Sequence, residues 1–99
     1  MKIFISQPMR DKTDEQIKAE RARAIENVKD MYPDEPVEIL DTFFKGAPHD
    51  AKPLWFLGKS IQFLGGADVA YFIGDWKNYR GCRTENFVAK EYGIKVVEE

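Results

Sequence analysis

A glutamate in the last quarter of the chain, Glu85, has the neighbours expected of a reactive group. Val88, Ala89 and Tyr92 follow it by three, four and seven residues, so all four share one face of a helix. That face is apolar, and a carboxylate there is unexpected unless it faces a cleft. A place in the first turn of the helix would also favour a negative charge. The spacing predicts either an ionised, desolvated carboxylate suited to nucleophilic attack or hydroxyl binding, or a glutamate that only stabilises its helix.

Other reactive side chains stand alone in the sequence. Cys82 has no identifiable histidine partner, so we interpret it as a buried structural thiol rather than a nucleophile. Asp75 is either a ligand contact or a turn residue, and His49 is a loop residue. Gly81 begins no phosphate loop, because no Gly-Lys-Ser/Thr follows it. No cysteine and histidine set has the spacing of metal ligands, and we expect neither a metal nor a cofactor.

Length and charge narrow the class of protein. The 99 residues suffice for one domain spanning 1–99, and the 43% hydrophobic content allows a real core. A net charge of −2 argues against nucleic-acid polymers and acidic membranes, but leaves single nucleosides and nucleotides open as partners. The one cysteine fits a reducing compartment, and no apolar run is long enough for a signal peptide or a membrane span. We therefore expect a cytoplasmic protein.

The apolar pattern predicts strands that alternate with helices. A capping box at Thr13 to Gln16 starts the first helix, and Pro33 stops it. Pro53 suits the first turn of the second helix, and Gly93 follows the third. The predicted strands are 2–6, 37–40, 68–73 and 94–97, the predicted helices are 13–31, 53–64 and 80–92, and a loop covers 42–51.

This alternation predicts an α/β fold in which helices cover both faces of a parallel sheet. We expect a small open sheet of four strands in the order 2-1-3-4, flavodoxin-like or Rossmann-like, with the switch point between strands one and three. Ligands of such sheets bind outside the carboxyl ends of the strands. That rule selects four loops, at residues 6–10, 41–44, 74–76 and 80–85.

The predicted site is taken from these loops. Glu85 and Asp75 are the candidate catalytic residues. The candidate binding residues are Ser6, Gln7, Pro8, Met9, Arg10, Asp41, Trp76, Gly81 and Cys82. Trp55 and Phe56 are adjacent in the second helix, so one of them points away from the core. It is either an oligomer contact or simply a partly exposed aromatic residue.

Several motifs occur in an order that resembles the nucleoside 2-deoxyribosyltransferase superfamily, and in particular a short branch common in bacteria and their phages. The resemblance covers essentially the whole chain. Its most specific element is the Gly-x-x-x-Glu turn, followed by Ala and Tyr-Gly before a final strand, and a similar turn occurs in the phosphoribohydrolases that release cytokinin bases. The motifs are Ser6-Gln7-Pro8-Met9-Arg10, Leu57-Gly58-Lys59-Ser60, Ala67-Asp68-Val69-Ala70-Tyr71-Phe72, Gly81-Cys82-Arg83-Thr84-Glu85 and the segment 89–97.

The resemblance implies a mechanism for the glutamate of that turn. Glu85 would attack the anomeric carbon of a deoxyribosyl group and displace the base, and the covalent glycosyl group would pass to another base or to water. Arg10 and the backbone amides near Gly81 and Cys82 match the places where family members that act on nucleotides bind a 5′-phosphate. Active members complete their sites across subunits, which implies a homodimer or a larger homo-oligomer.

The sequence departs from the family at two positions. Ser60 stands where active members carry an aspartate that handles the base or sugar, which makes Ser60 a further candidate binding residue. Phe4 stands where they often carry a tyrosine. Asp41 or Asp75 could substitute for the missing acid. The resemblance implies an N-glycosidase or deoxyribosyltransferase acting on a nucleoside or nucleoside monophosphate. Two alternatives stay open: a nucleotide-binding module without activity, and a structural or interaction protein in which Glu85 only caps a helix.

Overall fold

The computed structural model describes residues 1–44 and 46–99. Four strands alternate with three α-helices along this part of the chain, and a single 3-10 turn at Trp76–Asn78 precedes the last helix. The elements are β1 (Lys2–Ser6), α1 (Asp14–Met31), β2 (Glu38–Ile39), α2 (Pro53–Leu64), β3 (Val69–Phe72), α3 (Arg80–Glu91) and β4 (Lys95–Glu98). The predicted loop 42–51 includes Lys45, which lies outside the described residues.

The sheet has the predicted topology. All neighbouring strands pair in parallel, and their order is β2-β1-β3-β4. The register sets Ser6 opposite Phe72, so the carboxyl ends of β1 and β3 lie level beside the switch point between them. The prediction of a four-stranded open α/β sheet in the order 2-1-3-4 is confirmed. The consequence for function is that the loops after β1 and β3 meet at one edge.

Both faces of the sheet are covered, and alternation along β1 divides the core accordingly. Ile3 and Ile5 pack with Ala24 and Val28 of α1 on one face. Phe4 packs on the other face with side chains from α2 and α3, among them Leu64 and Ala89. Ser6 continues this alternation on the face of Phe4, and it is 1% exposed. The strand thus delivers a buried hydroxyl to the side of the sheet on which α3 lies.

Helices α1 and α2 begin where their local sequence signals predict. The Thr13 hydroxyl accepts a hydrogen bond from the Gln16 backbone amide, and the Gln16 side chain accepts one from the Thr13 amide. This is the reciprocal capping box predicted for α1. Pro53 is the first residue of α2, where its missing N–H costs no helical hydrogen bond.

Two details of the predicted apolar faces are wrong. Tyr92 does not extend the face of Glu85, since α3 ends at Glu91 and the Tyr92 side chain is 81% exposed. The helical spacing of Leu54, Leu57, Ile61 and Leu64 predicts one apolar stripe on α2, but Leu54 is 77% exposed and does not join the core. In the described residues, no helix combines the length and the apolar character that crossing a membrane requires.

Candidate functional site

A cavity of about 580 Å³ opens beside the carboxyl end of β1, between that strand, the loop after β2, and helices α2 and α3. Its walls are largely apolar and aromatic, and a few polar side chains converge on it, as is usual for small-molecule sites. The aromatic wall consists of Phe4, Phe43, Phe44, Phe56 and Tyr79. Its polar side chains include Gln7, Ser60 and Glu85, and two arginines, Arg10 and Arg80, also line it.

Glu85 lines this cavity and is 8% exposed. The Ser6 hydroxyl donates a hydrogen bond of 2.7 Å to Glu85 Oε1. Glu85 does not lie in the first turn of its helix, as the sequence predicts, because α3 begins at Arg80 and Glu85 falls in the second turn. The helix dipole therefore contributes little, because its effect falls off beyond the first turn. The position of Glu85 in the fold follows from its shared face with Ala89, which is fully buried.

Burial controls the charge of this carboxyl group. Desolvation raises the pKa of Glu85 to about 7, while the hydroxyls of Ser6 and Ser60 act in the opposite direction. Near neutral pH the group therefore exists in both protonation states. Its ionised form is poorly solvated, which makes it more reactive toward a developing positive charge than an exposed glutamate would be.

Cys82 is buried beside Ser6, as the sequence interpretation of a structural thiol required. Burial is the main cause that raises the pKa of the Cys82 thiol to about 11, and the Ser6 hydroxyl opposes this rise. The thiol stays protonated at neutral pH, so it is a poor nucleophile. Cys82 forms part of the cavity wall, and Glu85 is the carboxyl group among the described residues that line this cavity.

The structure separates the remaining predicted residues into two groups. Gln7, Pro8, Met9, Arg10, Ser60, Gly81, Cys82 and Glu85 line the cavity, and Ser6 contacts Glu85 directly. Ser6 itself does not line the cavity, and three further predicted residues do not line it either. Asp75 forms an ion pair of 3.3 Å with Lys12, and Asp41 accepts a hydrogen bond from the Phe43 amide within its own loop. Trp76 is 5% exposed and packs in the core against Phe72.

Two features of the cavity were not selected from the sequence. Phe43 and Phe44 form part of its aromatic wall, although the sequence predicts only polar contacts from their loop. Arg80 lines the cavity at the start of α3. Two adjacent aromatic residues in a loop after a strand were a usable signal, because clustered apolar side chains at the surface can mark a ligand-binding groove.

The two arginines give the cavity a positive side. Arg10 and Arg80 are both exposed, and neither forms an ion pair within the described part of the chain. The Arg10 guanidinium lies 5.7 Å from the centre of the Tyr79 ring, and the Tyr79 hydroxyl donates a hydrogen bond to the Arg10 carbonyl. Free guanidinium groups of this kind suit a phosphate or carboxylate.

Within residues 1–44 and 46–99, no group of three or more histidine, cysteine, aspartate or glutamate residues could hold a metal ion. Comparisons with protein-family models, with curated proteins and with solved structures found no match. The geometry of the cavity is therefore the basis for a functional proposal.

Proposed function

We propose that the protein cleaves the N-glycosidic bond of a nucleoside or nucleoside monophosphate, with Glu85 as the nucleophile. The observation that carries this proposal is a buried carboxylate, held by the Ser6 hydroxyl, on the wall of a cavity large enough for such a ligand. The resemblance of the Gly81 to Glu85 turn to nucleoside 2-deoxyribosyltransferases supports the same chemistry.

The reaction has two steps in this proposal. A Glu85 carboxylate oxygen forms a bond to C1′ of the sugar, the C1′–N bond breaks, and its electron pair leaves with the base. Glu85 is the single carboxylate among the described residues that line the cavity, so the departing nitrogen takes its proton from water. In the second step, water or another base attacks C1′ and releases Glu85, which gives hydrolysis or transfer.

Arg10 and Arg80 support a phosphorylated substrate. Both line the cavity and neither has an acidic partner among the described residues, so a 5′-phosphate would be their counter-ion. The backbone amides near Gly81 lie at the start of α3, where N–H groups lack helical partners and also suit an anion. We therefore infer that monophosphates are preferred to unphosphorylated nucleosides.

Exposed apolar side chains support self-association. Leu54, Phe56 and Phe63 of α2 and Phe87 of α3 are between 40% and 77% exposed. A second copy of the chain would remove this apolar surface from water. We therefore propose that the protein forms a homodimer or a larger homo-oligomer. We also propose that it works in the cytoplasm, and its single buried cysteine is compatible with a reducing compartment.

A base-release assay tests the proposed function. The protein is incubated with the four deoxynucleosides and their 5′-monophosphates, and free base is followed by chromatography. We expect release of at least one base, faster from the monophosphate because the two arginines hold its phosphate. Tight binding without release would instead support the second function, a nucleotide-binding module, which the lack of a second carboxylate on the described cavity wall also favours. If the protein neither binds nor cleaves any of these compounds, both proposed functions are contradicted.

A further inference from the structure

The hydroxyl group of Ser6 is held rigidly at the end of β1. Ser6 is the last residue of this strand, and its carbonyl oxygen accepts a hydrogen bond from the Ile73 amide that follows β3. Phe72 lies opposite Ser6 in the register of the two strands. The side chain is 1% exposed, so the torsion angle χ1 in tightly packed surroundings determines where the hydroxyl oxygen lies. Groups on strands are positioned more precisely than groups on loops.

This hydroxyl group reaches Glu85 from outside the cavity. It donates a hydrogen bond of 2.7 Å to Glu85 Oε1. Glu85 lines the cavity, whereas Ser6 does not. Oε1 is therefore the oxygen turned toward the buried end of the strand, and Oε2 is the oxygen left for a ligand in the cavity. A hydroxyl group carries a single proton, so the hydrogen bond to Oε1 commits the one donor that Ser6 offers.

Few other groups act on this carboxyl group. The titratable and charged side chains that line the cavity with it come from α3 and from the loops beside that helix: Arg10, Tyr79, Arg80 and Cys82. The described residues that line the cavity from β1, from α2 and from the loop after β2 are uncharged. Burial and the hydroxyls of Ser6 and Ser60 are the causes that set the pKa of Glu85. Ser60 lines the cavity, where a substrate can also engage its hydroxyl, so Ser6 is the donor reserved for Glu85.

We propose that Ser6 is a positioning residue of the reaction: its hydroxyl holds Glu85 Oε1, and the carboxylate attacks the sugar with Oε2. This inference rests on the proposed function. In the attack, the bond from Oε2 to C1′ forms, the C1′–N bond breaks, and its electron pair leaves with the base, whose nitrogen takes a proton from water. The hydrogen bond favours the ionised carboxylate, which is the reacting form, and it fixes the direction of Oε2. Ser6 itself touches neither the base nor the sugar.

Ser6→Ala and Ser6→Thr test this proposal through the pH dependence of base release. Alanine removes the donor with a minimal change of shape, and threonine keeps a hydroxyl on the same carbon. Values of kcat and KM are measured from about pH 5 to about pH 9, with the monophosphate that the unaltered protein cleaves fastest. Carbon-13 spectroscopy of the carboxyl groups follows the ionisation of Glu85 directly, since Glu85→Gln lacks this signal. Melting temperatures show that each variant is folded.

In the unaltered protein, kcat/KM should rise as Glu85 ionises, with a midpoint near its pKa of about 7. Ser6→Ala should move this midpoint upward by about one pH unit and lower kcat at the alkaline plateau about tenfold, with KM nearly unchanged. Ser6→Thr should restore both values.

An unmoved midpoint and an unchanged kcat in Ser6→Ala, even with a lower melting temperature, would overturn this inference and leave the proposed function intact. A rise in KM alone would also overturn it, because Ser6 would then contact the substrate. Absence of base release by the unaltered protein would overturn the proposed function and this inference together.

Discussion

Glu85→Gln should lower the rate of base release by about 1,000-fold or more. Glutamine has nearly the same shape and can still accept the hydrogen bond from Ser6, but its amide oxygen is not a competent nucleophile at C1′. The loss should appear in kcat as well as in kcat/KM, because the missing bond forms only as the reaction proceeds. The measurement is the rate of free-base formation at saturating monophosphate.

Glu26→Gln is the matched control for this substitution. Glu26 is an exposed residue of α1, and the change removes one carboxylate without touching the cavity. Its rate should stay within about twofold of the unaltered protein, since surface changes away from special contacts have small effects. If Glu85→Gln kept the rate of this control, the nucleophilic role of Glu85 would be wrong.

Glu85→Gln should also stabilise the fold at alkaline pH. The pKa of Glu85 is raised by burial from 4.5 to about 7 in the folded protein, so the folded state binds its proton more tightly than the unfolded state does. The stability that this proton confers is complete below the unfolded pKa and is lost as pH rises through the folded pKa. Converted at 1.36 kcal/mol per pKa unit, the shift corresponds to a loss of about 3 kcal/mol by pH 8.

Urea unfolding at pH 8 and pH 4.5 measures this effect. Glu85→Gln cannot ionise, so its free energy of unfolding should exceed that of the unaltered protein by about 3 kcal/mol at pH 8. The difference should nearly vanish at pH 4.5, where Glu85 is protonated in the folded state. Glu26→Gln should show no such dependence on pH. An equal difference at both pH values would mean that Glu85 is not a buried acid with a raised pKa.

Glu85→Gln is therefore expected to lower the rate of base release and to raise the free energy of unfolding at pH 8. This contrast distinguishes a functional residue from a structural one. A side chain that only stabilises its helix would lower stability when replaced and would leave catalysis unchanged. Glu85 should instead reduce stability at pH 8 while enabling turnover, which is the pattern of a residue kept for function at a cost to the fold.

The sheet was predictable because each of its elements carries its own local signal. The capping box at Thr13 and the proline at 53 mark helix starts, and the alternation of strands with helices leaves few topologies open. Glu85 was predictable because a carboxylate interrupts a face that continues with Val88 and Ala89. The end of that face at Tyr92 was missed, since the last turn of a helix is the part that spacing defines least.

The site was less predictable than the fold because loop position does not determine side-chain direction. Asp75 follows β3 at the correct edge, yet it turns to Lys12 on the surface. Trp76 enters the core, where Phe72 offers an aromatic neighbour. The hydrogen bond from Ser6 to Glu85 joins two elements far apart in the chain, and no pattern in the sequence links those two residues.

Trapping of the covalent intermediate tests the central claim most directly. A monophosphate substrate with fluorine at C2′ destabilises the positive charge that develops at C1′ and slows both steps of a retaining mechanism. After incubation, the intact mass of the protein should increase by one fluorinated sugar phosphate, and peptide analysis should place the added group on Glu85. Base release from ordinary substrate with no adduct, or with an adduct on another residue, would contradict the claim that Glu85 is the nucleophile.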